Sequence, residues 1–255
     1  MISQRAAAAC ARIGAQIGSQ TGAQIGRGAM LAAALIGLGA CSSIIPGADR
    51  DPPRLYDLSP KSTFAKNLPR SRWQLVVEPP IAAAGLSSAR IALKRHHLRI
   101  EYYAQAAWTD TTPTMIQTLI IESFENSKKI VSVGRTSAGL RSDFVLQTSL
   151  REFQAEYSNR GLTKKAKQAA ENKNAAGPVV RVSLNAKLVK MPERTIIASR
   201  TFQHTVIADS NSMEEIVAAF DEALGKALKR IVKWTLVQGH RGWRRRRHRR
   251  VVSRR

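Results

Sequence analysis

From Pro178 to Lys190 the sequence reads PVVRVSLNAKLVK, in which Val180, Val182, Leu184, Ala186 and Leu188 alternate with Arg181, Ser183, Asn185 and Lys187. A period of two puts successive side chains on opposite faces of an extended strand, so this chain is built around a sheet with one face turned to a core. Upstream, SDFVLQTSLREFQAEY repeats the pattern through Phe144, Leu146, Thr148 and Leu150. Residues 158–177 between them are too polar for a core, and the two strands are read as a hairpin with a long, mobile basic loop. TIIASRTFQHTV supplies a third strand. Nearer the N-terminus, Arg54–Ser59 and Trp73–Val77 read as short strands, the second with Trp73, Leu75 and Val77 on one face and Pro79 and Pro80 as its stop. Arg90–Lys94 and Leu98–Tyr103 read as a hairpin that turns near His96.

Two segments carry the helical period instead. One takes Thr112 as its cap, has Pro113 in its first turn, repeats Ile116, Leu119, Ile120 and Phe124, and closes on Lys128 and Lys129, where the helix dipole favours cations. The other starts at Ser212, spaced as a capping box from Glu215, and continues through Ile216, Phe220, Leu224, Leu228 and Ile231. Together these elements predict an α+β fold: a single domain with a mixed, mostly antiparallel sheet and two main helices packed on one face. The strand Val179–Lys190 is expected to present an exposed edge that invites a second copy to pair.

The first forty residues are of another kind. Ala29–Ala40 is a run of twelve apolar or glycine residues, behind a segment in which GAQIG occurs twice and Arg27 gives a positive flank. A membrane-crossing helix needs about 20 such residues, whereas a secretory signal has an apolar segment of roughly 7 to 15 before small residues. Leu38, Gly39, Ala40 and Cys41 resemble the bacterial lipobox, which implies cleavage between Ala40 and Cys41 and lipid attachment to the Cys41 thiol. The polar, Pro- and Gly-containing residues 41–53 read as a flexible tether. Apart from Cys10 and Cys41 the chain has no cysteine. Serine at position 42, in place of aspartate, resembles the pattern that sends lipoproteins to the outer membrane.

RLYDLSP, ARIALKRHHLRIEYYAQAAWTDTTPTMIQTLIIESFENSKKIVSV, SDFVLQTSLREFQAEY, VRVSLNAKLVK and SMEEIVAAFDEALGKALKRIVKW follow one another between Arg54 and Trp234. In that order they resemble the ABC-type transport auxiliary lipoprotein family, which includes the paraquat-inducible lipoprotein type; the most specific stretch is Tyr102–Phe124. The resemblance implies a lipid-anchored periplasmic domain at residues 54–238. Its implied partners are an ABC transporter and a substrate-binding protein of the mammalian-cell-entry type, which move phospholipid or other hydrophobic molecules between inner and outer membranes. Ala107 departs from the arginine that family members often carry before the tryptophan matching Trp108.

No constellation for catalysis is visible: there is no nucleophile elbow, phosphate-cradling loop or His-Glu-x-x-His helix. His96 and His97 are adjacent, so on a strand they would face opposite ways and not share a metal, and they read as a solvated turn; His204 lies in a strand, where a satisfied surface or core histidine weighs as much as a functional one, and Asp143 and Asp209 read as loop and turn residues. No cofactor is expected beyond the covalent lipid on Cys41. Tyr102, Tyr103 and Trp108 are candidates for contact with lipid or a partner, set against the commoner fate of such aromatics in a core.

Charge is the remaining feature. The formal net charge is +23, and removing the nine arginines of the last fifteen residues and the three of the first forty still leaves +11. Residues 239–255 read as a disordered arginine-rich tail, with Arg244, Arg245, Arg246, Arg247, Arg249 and Arg250 as candidates for an anionic surface such as phospholipid headgroups or lipopolysaccharide. An exported protein meets no nucleic acid, so none is expected as a partner. The competing reading, a cytosolic nucleic-acid-binding protein, requires the lipobox match to be accidental.

Overall fold

A computed structural model describes residues 51–136, 142–157 and 177–252, with side chains through Arg244. Its centre is the predicted hairpin. Strands Phe144–Glu156 (β7) and Val179–Lys190 (β8) pair antiparallel along their whole length, with one bulge near Leu150. Thr195–Ile207 (β9) adds to the far side of β8, again antiparallel. The expected exposed edge is therefore corrected: β8 is flanked on both sides, and the unpaired ladder belongs to β9.

On its other side β7 works as a spine along which shorter strands are laid in turn. Gln74–Val77 (β2) lies against its start, Ile81–Ala82 (β3) against its middle and Arg90–Lys94 (β4) against its end, all parallel to it. Beyond β4 comes Glu101–Trp108 (β5), antiparallel, and beyond that Arg54–Tyr56 (β1), parallel to β5. Ser132–Arg135 (β6) flanks β2, parallel. Five of these eight pairings are parallel, so the sheet is mixed but not mostly antiparallel by pairing; the long β7–β8–β9 ribbon holds most of its antiparallel register. Parallel neighbours need crossovers, and the chain makes them with turns and with the helix Thr112–Ser127 (α1) between β5 and β6.

The cap of α1 sits one residue earlier than expected. Thr111 is the N-cap, while the Thr112 hydroxyl donates to the Ser88 carbonyl at 3.0 Å, tying the helix start to the β3–β4 connection. Lys128 ends α1 in the left-handed region at φ 53°. In the second helix, Met213–Val252 (α2), the Ser212 hydroxyl accepts the Glu215 amide at 3.3 Å, one half of the expected capping box, while the Ser212 amide donates to Ser210 Oγ at 3.1 Å. Both helices lie on one face of the sheet, α2 along β8 and β9. Val180, Val182, Leu184, Ala186 and Leu188 meet Ile216, Phe220, Leu224, Leu228 and Ile231 in one continuous core, and all ten are fully buried.

The opposite face of β8 departs from a simple wet surface. Arg181, Ser183 and Asn185 are also buried, because long strands crowd β8 from both sides. Arg181 Nε donates to Glu156 Oε2 at 2.7 Å, and Gln154 Nε2 donates to the other Glu156 oxygen at 3.0 Å. A buried charge needs such a partner, and this one has it.

In the arginine-rich segment, expected as a disordered tail from residue 239, the backbone is helical through Val252. Gly239 is buried, and a β-carbon there would come to 2.4 Å from Trp73 Cζ2, well inside contact distance. One added at Gly242 would come to 2.9 Å from Ile197 Cδ1 and 3.5 Å from Phe144 Cζ. Trp243 packs against the core. The packed helix thus runs past the expected boundary at residue 238, and two glycines allow it to close on Trp73 and Phe144, whose rings meet edge to face at 5.1 Å.

Candidate functional site

The three aromatic candidates on β5 separate in the structure. Trp108 is 1% exposed and packs on Phe220 at 5.3 Å and Phe153 at 5.8 Å. It is a core residue, which removes it from any surface contact. Gln105, at φ 54°, breaks the regular alternation of β5, and Ala106 and Trp108 turn inward beyond that break. Tyr102 and Tyr103 remain partly buried. The Tyr102 hydroxyl donates to the Gly85 carbonyl at 3.0 Å, and the Arg90 guanidinium lies 3.7 Å from its ring centroid. The Tyr103 hydroxyl lies 3.1 Å from that of Tyr157, just beyond β7. Burial first, and this hydrogen bond second, push the Tyr103 phenol well above its ordinary range, so it stays neutral.

Beyond these tyrosines the β4–β5 hairpin ends in the turn Arg95–Ile100, closed by the Arg99 amide donating to the His96 carbonyl at 3.1 Å. The second strand begins at Glu101, later than the sequence suggested, so the turn is longer. His96 and His97 sit exposed in this turn, where the sequence reading put them, and their rings approach to 4.5 Å. Leu98 at the apex is 83% exposed and Ile100 is 39% exposed. Around them are Arg95 and Arg99, whose guanidiniums lie 3.5 and 3.8 Å from the Glu101 carboxylate. This combination of exposed apolar and basic residues was not visible as a site in the sequence, because the signal KRHHLRI looks like an ordinary charged turn.

Two clefts flank α2. One, of about 260 Å3, lies between its first turns and the end of β9, lined by Val206, Ala208, Asp209, Glu215 and Ala219. The other, of about 530 Å3, lies between α2 and the Ser59–Ser62 segment and has Lys61, Asp221 and Lys229 on its walls. Both are half-open; the first is lined more by apolar than by polar surface, and the second is mixed. The described residues contain no group of three or more His, Cys, Asp or Glu placed to hold a metal ion. His204, on β9 beneath α2, has a buried Nε2 with no hydrogen-bond partner; burial, and then the nearby Arg230 and Lys226, lower its pKa to about 4. Asp143 is a structural residue: its carboxylate accepts the Gln74 amide at 3.1 Å where β2 meets β7.

Of the basic candidates, Arg244 is exposed on α2. Arg245, Arg246, Arg247, Arg249 and Arg250 lie on the helical backbone, but their side chains fall outside the described residues. Ala40 and Cys41, with the whole expected signal, and residues 158–176 of the expected basic loop are outside them as well. No helix among the described residues is long and apolar enough to cross a membrane.

Comparison with known proteins agrees with this architecture. The crystal structure of protein XCC0632 from Xanthomonas campestris superposes with a TM-score of 0.66 at 28% identity, over 75% of this chain and 99% of that one. A second crystal structure, of an uncharacterized protein, shares the fold at TM-score 0.52 and 13% identity, over 71% of this chain and 97% of the other. An uncharacterized protein of Bradyrhizobium diazoefficiens is 27% identical over 135 residues, 53% of this chain; the match spans about a third of that relative's length, 32%. The model of the ABC-type transport auxiliary lipoprotein component matches residues 56–232, from the first strand to the middle of α2, and the chain belongs to that family.

Proposed function

We propose that this protein is a cell-envelope lipoprotein, held by a lipid on Cys41 and facing the periplasm, that serves as an auxiliary scaffold of an ABC-type transporter. The observation that carries this reading is the family match over residues 56–232, on a domain preceded by Leu38–Cys41. The transporter is proposed to be of the mammalian-cell-entry type, with phospholipids or other hydrophobic molecules as cargo passing between inner and outer membranes, and the anchor to lie in the outer one. The domain acts by position: a flexible tether such as residues 41–53 keeps it near its partners and raises its effective concentration there. In this reading the described face supplies binding, and chemistry on the cargo is left to other components. The unpaired ladder of β9 is the edge on which a second copy could add a strand. Arg244 and the arginines after it would serve a phosphate-bearing surface, of headgroups or lipopolysaccharide.

Intact mass of the protein purified from its native membrane tests this, against a Cys41→Ser version. The expected result is a chain that starts at Cys41 and is heavier by a lipid modification, with the variant unlipidated. A chain that keeps Met1, carries no lipid and fractionates with the cytosol would overturn the reading in favour of a nucleic-acid partner for the arginine helix.

A further inference from the structure

We propose that the β4–β5 hairpin tip is a docking point for the phosphate-bearing headgroup surface of the bilayer that holds the anchor. The inference rests on the anchored-lipoprotein reading and adds an orientation to it. Three observations converge on the tip. First is its composition: Lys94, Arg95 and Arg99 surround Leu98, and Glu101 is the one acid paired with them, so the tip is net positive around an exposed leucine. A leucine that enters the acyl boundary while flanking guanidiniums meet phosphates gains from both burial and charge. Second, the Tyr103–Tyr157 pair stands directly behind the tip, with Tyr157 40% exposed and its amide bonded to the Lys94 carbonyl at 2.9 Å. Tyrosine rings favour the depth at which headgroups give way to acyl chains.

Third is where the tether arrives. β1 runs parallel to β5 with Arg54 opposite Ala106, so the chain before Arg54 comes in from the Glu101 end of β5, the end that carries the tip. From Ala106 to Glu101, where the turn meets the strand, is about 17 Å. The arginine end of α2 lies elsewhere: Gly242 sits over Phe144, at the opposite end of β7 from Glu156 and about 40 Å away. In the orientation that puts the tip on the anchored bilayer, the C-terminal end of the α2 backbone lies at the far end of the sheet from it.

Lipid-borne quenching on the anchored protein tests the proposal. The mature, lipid-bearing chain, its anchor verified by mass, is labelled with an environment-sensitive dye at His97→Cys, and in parallel at Ile196→Cys, an exposed position at the opposite end of the sheet. Both are placed in vesicles of phosphatidylethanolamine and phosphatidylglycerol doped with nitroxide lipid. The expected result is loss of most of the fluorescence at position 97 and little at 196. Leu98→Ser, or Arg95→Gln with Arg99→Gln, should weaken the protected state on the order of tenfold. A lipid-bearing chain whose label at 97 stays as wet as that at 196 would overturn the tip alone; a chain without lipid would overturn the anchored reading. Equal quenching before and after the arginine and leucine changes would also overturn it, as would a label shielded only when transporter components are added, which would assign the tip to a protein face.

Discussion

The two ends of the sheet are both rich in positive charge, yet they are built on different principles. At the start of β7 the chain closes: Trp73 and Phe144 receive α2 through Gly239 and Gly242, and the helix continues into its arginines as an extension of a packed element. At the end of β7 the chain opens: the β4–β5 turn leaves Leu98 in water and the charges on a short loop. Basic composition alone does not distinguish a rod from a turn. The small residues beneath the charges do, because only glycine lets a helix approach an indole ring so closely.

The sharpest way to break this contrast is to fill the closed end. Gly239→Leu places atoms where the Trp73 ring already stands and should cost about 3 kcal/mol or more, as overpacking does in a rigid core. Gly225→Ala, in the same helix, meets nothing nearer than Lys61 Cδ at 3.9 Å and should stabilise by about 0.5 to 1 kcal/mol through helix propensity. Urea unfolding followed by tryptophan fluorescence reads both. Equal effects of the two substitutions would mean that α2 does not close on Trp73.

The open end has its own buried anchor. The Arg181–Glu156 pair has side-chain exposures of 11% and 14%. Arg181→Met strands a buried carboxylate and should destabilise by about 3 kcal/mol, whereas Arg181→Met with Glu156→Leu should recover much of that loss. A double-mutant cycle on unfolding free energies checks it, and an additive outcome would show that the two groups do not interact.

These two anchors mark where the sequence was legible. The alternation in Val179–Lys190 and the stripe from Ile216 to Ile231 predicted the hairpin, the long helix and the core between them, since both periods are long and regular. β3 and β6, of two and four residues, left no signal: strands that short show no period, and their parallel partner is far away in sequence. The same distance hid the prevalence of parallel pairing. Arg181 read as a wet residue because alternation tells which face a side chain takes but not what crowds that face. The hairpin tip was missed because its meaning depends on how far Leu98 is exposed, which only the fold decides.

A weaker effect follows from His204. Its folded pKa is lowered to about 4 from an ordinary 6.5, first by burial and then by Arg230 and Lys226. As pH falls below about 6.5 the unfolded chain takes up a proton that the folded chain refuses, so this residue's contribution to stability is lost progressively between about pH 6.5 and 4. In His204→Gln that part of the pH slope should disappear, while the slope from the carboxylates persists. Identical pH profiles of the unfolding free energy would show that His204 titrates normally.

The smallest expected change in stability comes from removing the arginines. A chain stopped after Trp243 keeps Gly239, Gly242 and Trp243 on the sheet and should unfold within about 0.5 kcal/mol of the full chain, as surface changes do. Two opposed effects account for this near-cancellation. Cations near a helix C-terminus favour the dipole, but the run RRRRHRR also repeats like charges at i, i+4 in the sequence, a spacing at which they repel by similar amounts on a helix. The balance tips when a polyanion supplies the missing counter-charge: far-ultraviolet dichroism of the full chain should show the helix persisting to higher temperature with anionic vesicles, and the shortened chain should show no such gain. A shortened chain that loses several kcal/mol would mean that the arginine turns themselves belong to the closed end, and the rod would have to be counted as part of the packed domain.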